Sequence, residues 1–295
     1  DSAPLLVLFD PGDTYLDAVQ FDKTPREWIY QLRHAATVPD RADAAVVLGG
    51  FTGQDAVITA LVASSHDDPF WGVREQAVES LAKLGGVRAR DALFAALDDP
   101  DARTSSVAAT LLGGFQHDPQ VAARLEAVAR GGKYFRERES ALRSLGRLRA
   151  PGAFAVLLEA TRTESPDDGL RRAALGALGD LEDPRAIPVV LEWAAPGRPL
   201  YARVAAIRAL GSLDARNGDT TRRLLSYLDE RISGIRRAVL EALEQRADAS
   251  AIPPLETVLQ HGGLSDSFEE SVRRTIAHLR KSSAGSGSPS AAPGS

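Results

Sequence analysis

The nine residues RESALRSLG at positions 138–146 recur along the chain and decide its fold. Close copies are RRAALGALG at 171–179 and RVAAIRALG at 203–211. Each copy has an arginine, a small residue three positions later and a leucine seven positions later, which is the spacing of one face of an α-helix. The leucines of eight copies lie 31 to 36 residues apart, and they are Leu48, Leu81, Leu112, Leu145, Leu178, Leu210, Leu243 and Leu279. A period of this length indicates stacked helical repeats.

A second apolar helix pattern precedes each copy, as in DALFAAL at 91–97 and AFAVLL at 153–158. A pair of short amphipathic helices cannot bury its apolar face alone, whereas stacked pairs bury a continuous core. The ankyrin and tetratricopeptide signatures are absent, and the arrangement resembles short HEAT-type repeats. The sequence therefore predicts an all-α fold, an α-solenoid (a HEAT-like α-α superhelix) of about eight helix pairs, over residues 24–281.

The two ends of the chain differ from the repeats. Leu5–Phe9 is a β-rich run, a Pro-Gly turn follows, and the residues up to Phe21 alternate between polar and apolar. We predict a β-hairpin within residues 1–23, either as a short element of its own or as the end of an upstream β-domain. Residues 282–295 contain only Ser, Gly, Ala and Pro, and we predict a flexible tail there.

Composition limits the classes of partner and of chemistry. The net charge of -5 argues against nucleic acid as a partner, and no apolar stretch is long enough to span a bilayer. The chain has no cysteine, which excludes disulfides and thiolate chemistry but decides neither cytosol nor periplasm. It begins at Asp1 without a methionine, so we expect a piece of a longer or processed protein.

No catalytic or metal-binding motif is apparent. No two histidines lie three or four residues apart, although zinc sites usually contain such a local pair. The histidines are His34, His66, His117, His261 and His278. A nucleophile elbow and a phosphate-binding glycine loop are also absent. We therefore predict no catalytic residue, no metal ligand, no cofactor and no enzyme activity for this chain alone.

One arginine recurs at the same position of six repeats, and we name this set the arginine ladder. Its members are Arg41, Arg74, Arg138, Arg171, Arg203 and Arg236. The ladder could form a surface for anions or acidic peptides. It could instead bind backbone carbonyls or loop carboxylates such as Asp67, Asp98 or Asp118. We favour this structural role, because a residue in repeat register usually serves the repeat. The pairs at 222–223 and 273–274 are expected on a solvated face.

Several aromatic residues precede the second helix of their repeats. The candidate interface residues are Phe9, Tyr15, Trp28, Phe70, Trp71, Tyr134, Phe135 and Tyr201. The favoured interpretation is a hydrophobic staple that fixes the turn between two helices. The alternative is an apolar stripe on which a peptide or a neighbouring domain docks.

Some segments resemble one enzyme family. VLFDPG at 7–12, EWIYQLRH at 27–34, DPFWGVR at 68–74 and YFRER at 134–138 are similar to the C-terminal region of bacterial aminopeptidase N-like zinc metallopeptidases. In members with a HEAT-type C-terminus, a small β-domain ends in a similar hairpin and helical repeats follow. The resemblance covers residues 5–281.

The resemblance implies a non-catalytic accessory domain. The family's His-Glu-x-x-His helix and its Gly-x-Met-Glu-Asn strand are absent, so zinc would lie only in a catalytic domain outside this sequence. The chain would pack on the catalytic and β-domains of its own polypeptide and limit the access of peptides. The alternative is a free-standing HEAT-repeat scaffold that binds a protein or peptide. A bilin-lyase-like enzyme is a third possibility, by analogy of fold only.

Overall fold

The computed structural model describes residues 4–8, 22–213, 218–230, 232–261 and 264–285. These residues form sixteen α-helices and three short 3-10 helices, and none of them forms a strand. The first eight α-helices are α1 Pro25–His34, α2 Val38–Leu48, α3 Asp55–Asp67, α4 Trp71–Leu84, α5 Gly86–Ala96, α6 Ala102–Leu112, α7 Pro119–Gly131 and α8 Phe135–Leu148. The other eight are α9 Ala153–Thr161, α10 Gly169–Leu181, α11 Ala186–Ala194, α12 Leu200–Ser212, α13 Gly218–Ser226, α14 Ser233–Arg246, α15 Ile252–His261 and α16 Asp266–Gly285.

The chain divides into two compact units, one up to Leu148 and one from Arg149. Each unit contains four helix pairs, in which an odd-numbered first helix packs on the even-numbered second helix that follows it. The second helices of a unit also contact one another in order, α2 to α8 in the first unit and α10 to α16 in the second. The predicted all-α, HEAT-like solenoid fold is confirmed.

The repeat residues form the core of each unit. In α8 the side chains of Ala141, Leu142 and Leu145 are fully buried, and Arg143 on the opposite face is exposed. Full burial of one leucine contributes roughly 1.5–3 kcal/mol. The core therefore explains why the small residue and the leucine recur at fixed spacing.

Local signals set several helix ends. The Thr24 side chain accepts a hydrogen bond from the Glu27 backbone N–H, and the Glu27 carboxylate accepts one from the Thr24 backbone N–H, which completes a capping box on α1. Asp118 caps α7, whose first residue is Pro119. None of the described helices is both long and apolar enough to cross a membrane.

Neighbouring second helices touch where the repeat leucine is followed by glycine. A Cβ atom added to Gly179 on α10 would lie 2.9 Å from the Cα atom of Ala209 on α12. One added to Gly211 would lie 3.1 Å from the Cα atom of Ala242 on α14. The same glycine follows α2 and α6, where an added Cβ would come within 3.0 Å of a serine side chain of the next second helix. Glycine is therefore required here for close packing, and after α2 and α6 it is also the C-cap residue of the helix.

The structure differs from the predictions at both ends. Of the hairpin predicted up to Phe21, the structure describes only residues 4–8, which form no strand, and residues 9–21 lie outside the described residues. Within the described residues 4–8, Leu5 and Val7 are exposed. At the other end α16 continues to Gly285, four residues into the predicted tail. The hydroxyl groups of Ser282 and Ser283 donate hydrogen bonds to carbonyls of the preceding turn.

Candidate protein-binding face

The arginine ladder lies between repeats. Arg74 on α4 is 7% exposed, and its partner Asp99 is 8% exposed. The Nε and Nη2 atoms of Arg74 lie 2.7 and 2.8 Å from the two carboxylate oxygens of Asp99. The Nη1 atom donates to the Asp68 carbonyl at 3.0 Å. The Asp99 hydrogen bonds raise the pKa of Arg74 further above its already high ordinary value.

Arg203 repeats this arrangement in the second unit. It is 4% exposed, and its two terminal nitrogens lie 2.7 and 2.6 Å from the carboxylate oxygens of Glu230. Its Nε atom donates to the Ala194 carbonyl at 3.1 Å. The hydrogen bonds from Arg203 hold the pKa of Glu230 below its ordinary value. A bidentate pair in this position fixes one helix pair against the loop of the next.

The other ladder arginines also bind within the protein. Arg41 pairs with Asp68 at 2.7 Å, and Arg138 donates to a carbonyl at 3.0 Å. Arg171 binds Asp168 and a carbonyl of α9, and Arg236 donates to the carbonyls of residues 228 and 230.

The structural role that the sequence favoured fits these contacts, but the acidic partners are not the predicted ones. Asp68 and Asp99 bind ladder arginines in place of Asp67 and Asp98. Asp98 and Asp118 instead pair with arginines of first helices.

In the first unit, aromatic residues mark the starts of second helices. Phe70 and Trp71 stand at the start of α4 with their rings 5.4 Å apart. The guanidinium carbon of Arg103, at the start of α6, lies 3.5 Å from the centre of the Trp71 ring. Hydrogen bonds from Arg103 lower the pKa of Asp101, the residue that caps α6, to about 2. Phe70 stays 37% exposed beside this fixed cluster.

Tyr134 and Phe135, at the start of α8, have different roles. The Tyr134 hydroxyl donates to the Pro100 carbonyl at 2.6 Å and so holds the start of α8 to the loop before α6. Phe135, its neighbour, is 46% exposed. Tyr134 thus fixes a turn, whereas Phe135 presents its ring to solvent.

The remaining aromatic candidates are separate from these. In the second unit Tyr201 is 63% exposed, with the guanidinium carbon of Arg172 at 5.3 Å from its ring centre. Trp28 is half-buried on α1, under the Lys23 ammonium. Phe9 and Tyr15 lie outside the described residues.

Exposed apolar side chains concentrate on the second helices. Among the described residues, the large hydrophobic side chains classed as exposed in the helical region lie on a second helix or directly before one, except Val87 on α5. Those on or before second helices are Val46, Val47, Phe70, Phe135, Leu200, Tyr201 and Ile232. Val46 and Val47 lie near the end of α2, and the others lie at the starts of their helices. We name the exposed surface of the second helices of each unit, with the residues directly before them, the second-helix face.

The second-helix face also carries arginines. On α8 the side chains of Arg136, Arg143 and Arg147 are exposed. Arg143 pairs with Glu139 at 3.0 Å, and Arg147 donates to the Thr110 carbonyl at 3.0 Å. The exposed part of α8 thus carries more arginine than carboxylate, and Glu75 on α4 interacts electrostatically with Arg136. Within the described ranges, no three His, Cys, Asp or Glu side chains are grouped closely enough to hold a metal ion.

A family model of HEAT repeats matches residues 25–113, 58–145 and 121–200. Together these matches span residues 25–200, which is more than half of the chain. The chain belongs to the HEAT repeat family. A model of the PBS lyase HEAT-like repeat also matches residues 235–261.

The HEAT chain is similar in fold to solved structures of low sequence identity. One is the complex of CpcE and CpcF of phycocyanin lyase from Nostoc sp. PCC7120, at 21% identity and a TM-score of 0.39, over 90% of this chain and 98% of that one. Another is human deoxyhypusine hydroxylase in complex with glycerol, at 21% identity and a TM-score of 0.41, over 82% and 92%. No curated protein matches the chain. The comparisons give no support to aminopeptidase parentage.

The sequence interpretation missed part of the face. The exposed residues Leu200, Val46, Val47 and Ile232 are not among the candidates that the sequence suggested. The HEAT register contains the signal: Phe70 and Ile232 stand four positions before the ladder arginine, and Phe135 and Leu200 stand three positions before it. These positions mark Leu200 and Ile232, whereas Val46 and Val47 near the end of α2 lie outside this register.

Proposed function

We propose that this chain is a HEAT-repeat scaffold that binds a protein or peptide on its second-helix face, without catalysis or a cofactor of its own. The concentration of exposed large apolar side chains on the second helices carries this proposal. Their near absence from the described first helices separates a binding face from the scattered apolar residues of an ordinary surface.

The residue types on the face are those that dominate protein interfaces. Tyrosine, phenylalanine and arginine are enriched at interfaces. The aromatic rings supply large contact areas at low entropic cost, and the guanidinium group supplies several hydrogen-bond donors. Phe135 and Tyr201 are the aromatic side chains with the most solvent exposure on the face. Neither ring is enclosed by the fold, so both can contact a partner without unfolding a repeat.

The charges of the face indicate the chemistry of the partner. In the first unit exposed arginines stand on α8. In the second unit they stand on α10, α12 and α14, at positions 172, 208 and 237, and Arg208 pairs with Glu241. A segment with apolar anchors and acidic residues would complement this surface. Such a segment fits the partner class better than nucleic acid, because the chain as a whole is acidic, with a net charge of -5.

The test selects ligands from a random peptide library against the full chain and measures their affinities for variants. Phe135→Ala and Tyr201→Ala each remove one exposed ring of the face. We expect at least one of the two substitutions to lower the affinity for each selected peptide by about tenfold or more, since an interface anchor contributes over about 1.4 kcal/mol of binding free energy.

The matched control is Val87→Ala, which truncates a 63% exposed side chain on the first helix α5. It should leave the affinities unchanged. A library that yields no ligand, or peptides that lose as much affinity with the control as with the face variants, would overturn the proposal.

The accessory role in an aminopeptidase N-like enzyme rests on the sequence resemblance alone. We prefer the scaffold function because it follows from the described surface and requires no further domain. The two differ in partner, since the accessory role requires the catalytic domain of the same polypeptide on this face.

A further inference from the structure

A cavity of about 430 Å³ lies between α14 and α16 in the second unit. This volume is within the range of pockets that bind small molecules. Residues from three successive turns of α14 line one wall, and residues from the first turns of α16 line the other. Leu240 and Phe268 contribute apolar surface, while arginine and serine side chains supply most of the polar surface.

The cavity exists because this helix pair lacks the small residues that join the others. In α10 and α12 the repeat leucine is followed by Gly179 or Gly211, which brings the next second helix into contact. In α14 that position is Glu244, which accepts a hydrogen bond from Thr275 on α16 at 2.6 Å. The residue before the repeat leucine of α16 is His278, where α12 and α14 have alanine. The glycine contact of α10 with α12 and of α12 with α14 is therefore absent here, and the cavity lies between α14 and α16.

The charges in the cavity are unbalanced in favour of arginine. Glu241 pairs with Arg208 at 2.6 Å, and Glu244 is bound by Thr275. Within the described part of the chain, the side chains of Arg237 and Arg274 make no ion pair or hydrogen bond. Both carboxylates are thus engaged, while two guanidinium groups that line the cavity are available.

A third arginine, Arg236, also lines the cavity. Arg236 donates from Nε to the carbonyls of Leu228 and Glu230 at 3.0 Å each, and its guanidinium carbon lies 4.8 Å from the centre of the Phe268 ring. These contacts hold a positive group against an aromatic wall. Planar guanidinium groups bind phosphate and carboxylate oxygens in bidentate geometry, and serine hydroxyls add donors.

We propose that this cavity binds an organic oxyanion, a phosphate or carboxylate attached to an apolar group. Arg237 and Arg274 bind the oxygens, and Leu240 and Phe268 contact the apolar group. The ligand is either a free small molecule or a modified side chain that a peptide presents. The site goes beyond the proposed function, because binding of a small anion requires no peptide on the rest of the second-helix face.

The experiment is calorimetric titration of the full chain with phenyl phosphate, inorganic phosphate and a short phosphotyrosyl peptide. Phenyl phosphate should bind more tightly than inorganic phosphate, because only the former contacts the apolar wall. If the phosphotyrosyl peptide binds more tightly than phenyl phosphate, the natural ligand is a modified side chain of a peptide. If the two bind with equal affinity, the natural ligand is a free small molecule.

Variants locate the binding. The double variant Arg237→Gln/Arg274→Gln should lower the affinity for phenyl phosphate by at least about tenfold. Ser271→Leu, which fills the cavity and keeps the charges, should also weaken it. Arg273→Gln is the matched control, because Arg273 pairs with Glu269 and does not line the cavity. Absence of binding, equal affinity for the two phosphates, or equal losses in the control and the double variant would overturn the proposal.

Discussion

At the scale of single residues, the ladder arginines are structural parts of the fold. Arg74 and Arg203 are among the few charged side chains buried in the described residues, and each has a bidentate carboxylate partner. A buried charge without a partner is strongly unfavourable. The repeat therefore retains the arginine only where a loop carboxylate or carbonyl reaches it.

Two adjacent aspartates test this role. Asp99→Asn leaves the buried Arg74 charge without a compensating charge and should lower the free energy of unfolding by about 3 kcal/mol. Asp98→Asn affects only the pair with Arg124, in which the side chains are 76% and 40% exposed. The Asp98→Asn substitution should lower the free energy of unfolding by less than about 1 kcal/mol. Denaturant unfolding of both variants measures the difference, and equal losses would contradict the structural role of Arg74.

At the scale of helices, one glycine permits close contact at four crossings of second helices, α2 with α4, α6 with α8, α10 with α12 and α12 with α14. Gly179 lies against the backbone of Ala209, whereas Gly176, one turn earlier on α10, has no atom within 4 Å of an added Cβ. The two positions share a helix and differ only in what faces them.

Alanine substitutions separate the two effects. Gly179→Ala inserts a methyl group into the crossing and should destabilise the protein by about 1–3 kcal/mol. Gly176→Ala places a better helix former where space is free and should stabilise it by about 0.5–1 kcal/mol. Thermal unfolding reports both signs. A neutral Gly179→Ala variant would show that the helices do not require this approach.

The repeat period predicts the helices and the core, because the arginine, small residue and leucine each serve a fixed place in the helix pair. The sequence interpretation misassigned the acidic partners, because Asp67-Asp68 and Asp98-Asp99 offer two neighbouring carboxylates and only the loop conformation decides which one reaches the arginine. The pair at 273–274 is exposed, as expected, but the sequence did not indicate that Arg274 also lines a cavity. The sequence shows that Glu244 stands where other repeats have glycine. The cavity beside it could not be predicted, because it depends on where α16 lies.

At the scale of the whole molecule, each unit has two kinds of helix with different surfaces. The described first helices expose one large apolar side chain, Val87, whereas the second helices expose valine, phenylalanine, leucine and tyrosine. Burial in the core does not explain this asymmetry, since both helices of a pair contribute buried apolar side chains. A partner on the second-helix face would cover this apolar surface.

The central claim is that a partner binds the second helices, and a footprint of a selected peptide tests it most directly. The peptide carries a photoreactive group, and mass spectrometry then locates the crosslinked residues on the full chain. We predict crosslinks on the second helices, near Phe135 or Tyr201. Crosslinks confined to the first helices, such as α5 around Val87, would contradict the assignment of the binding face.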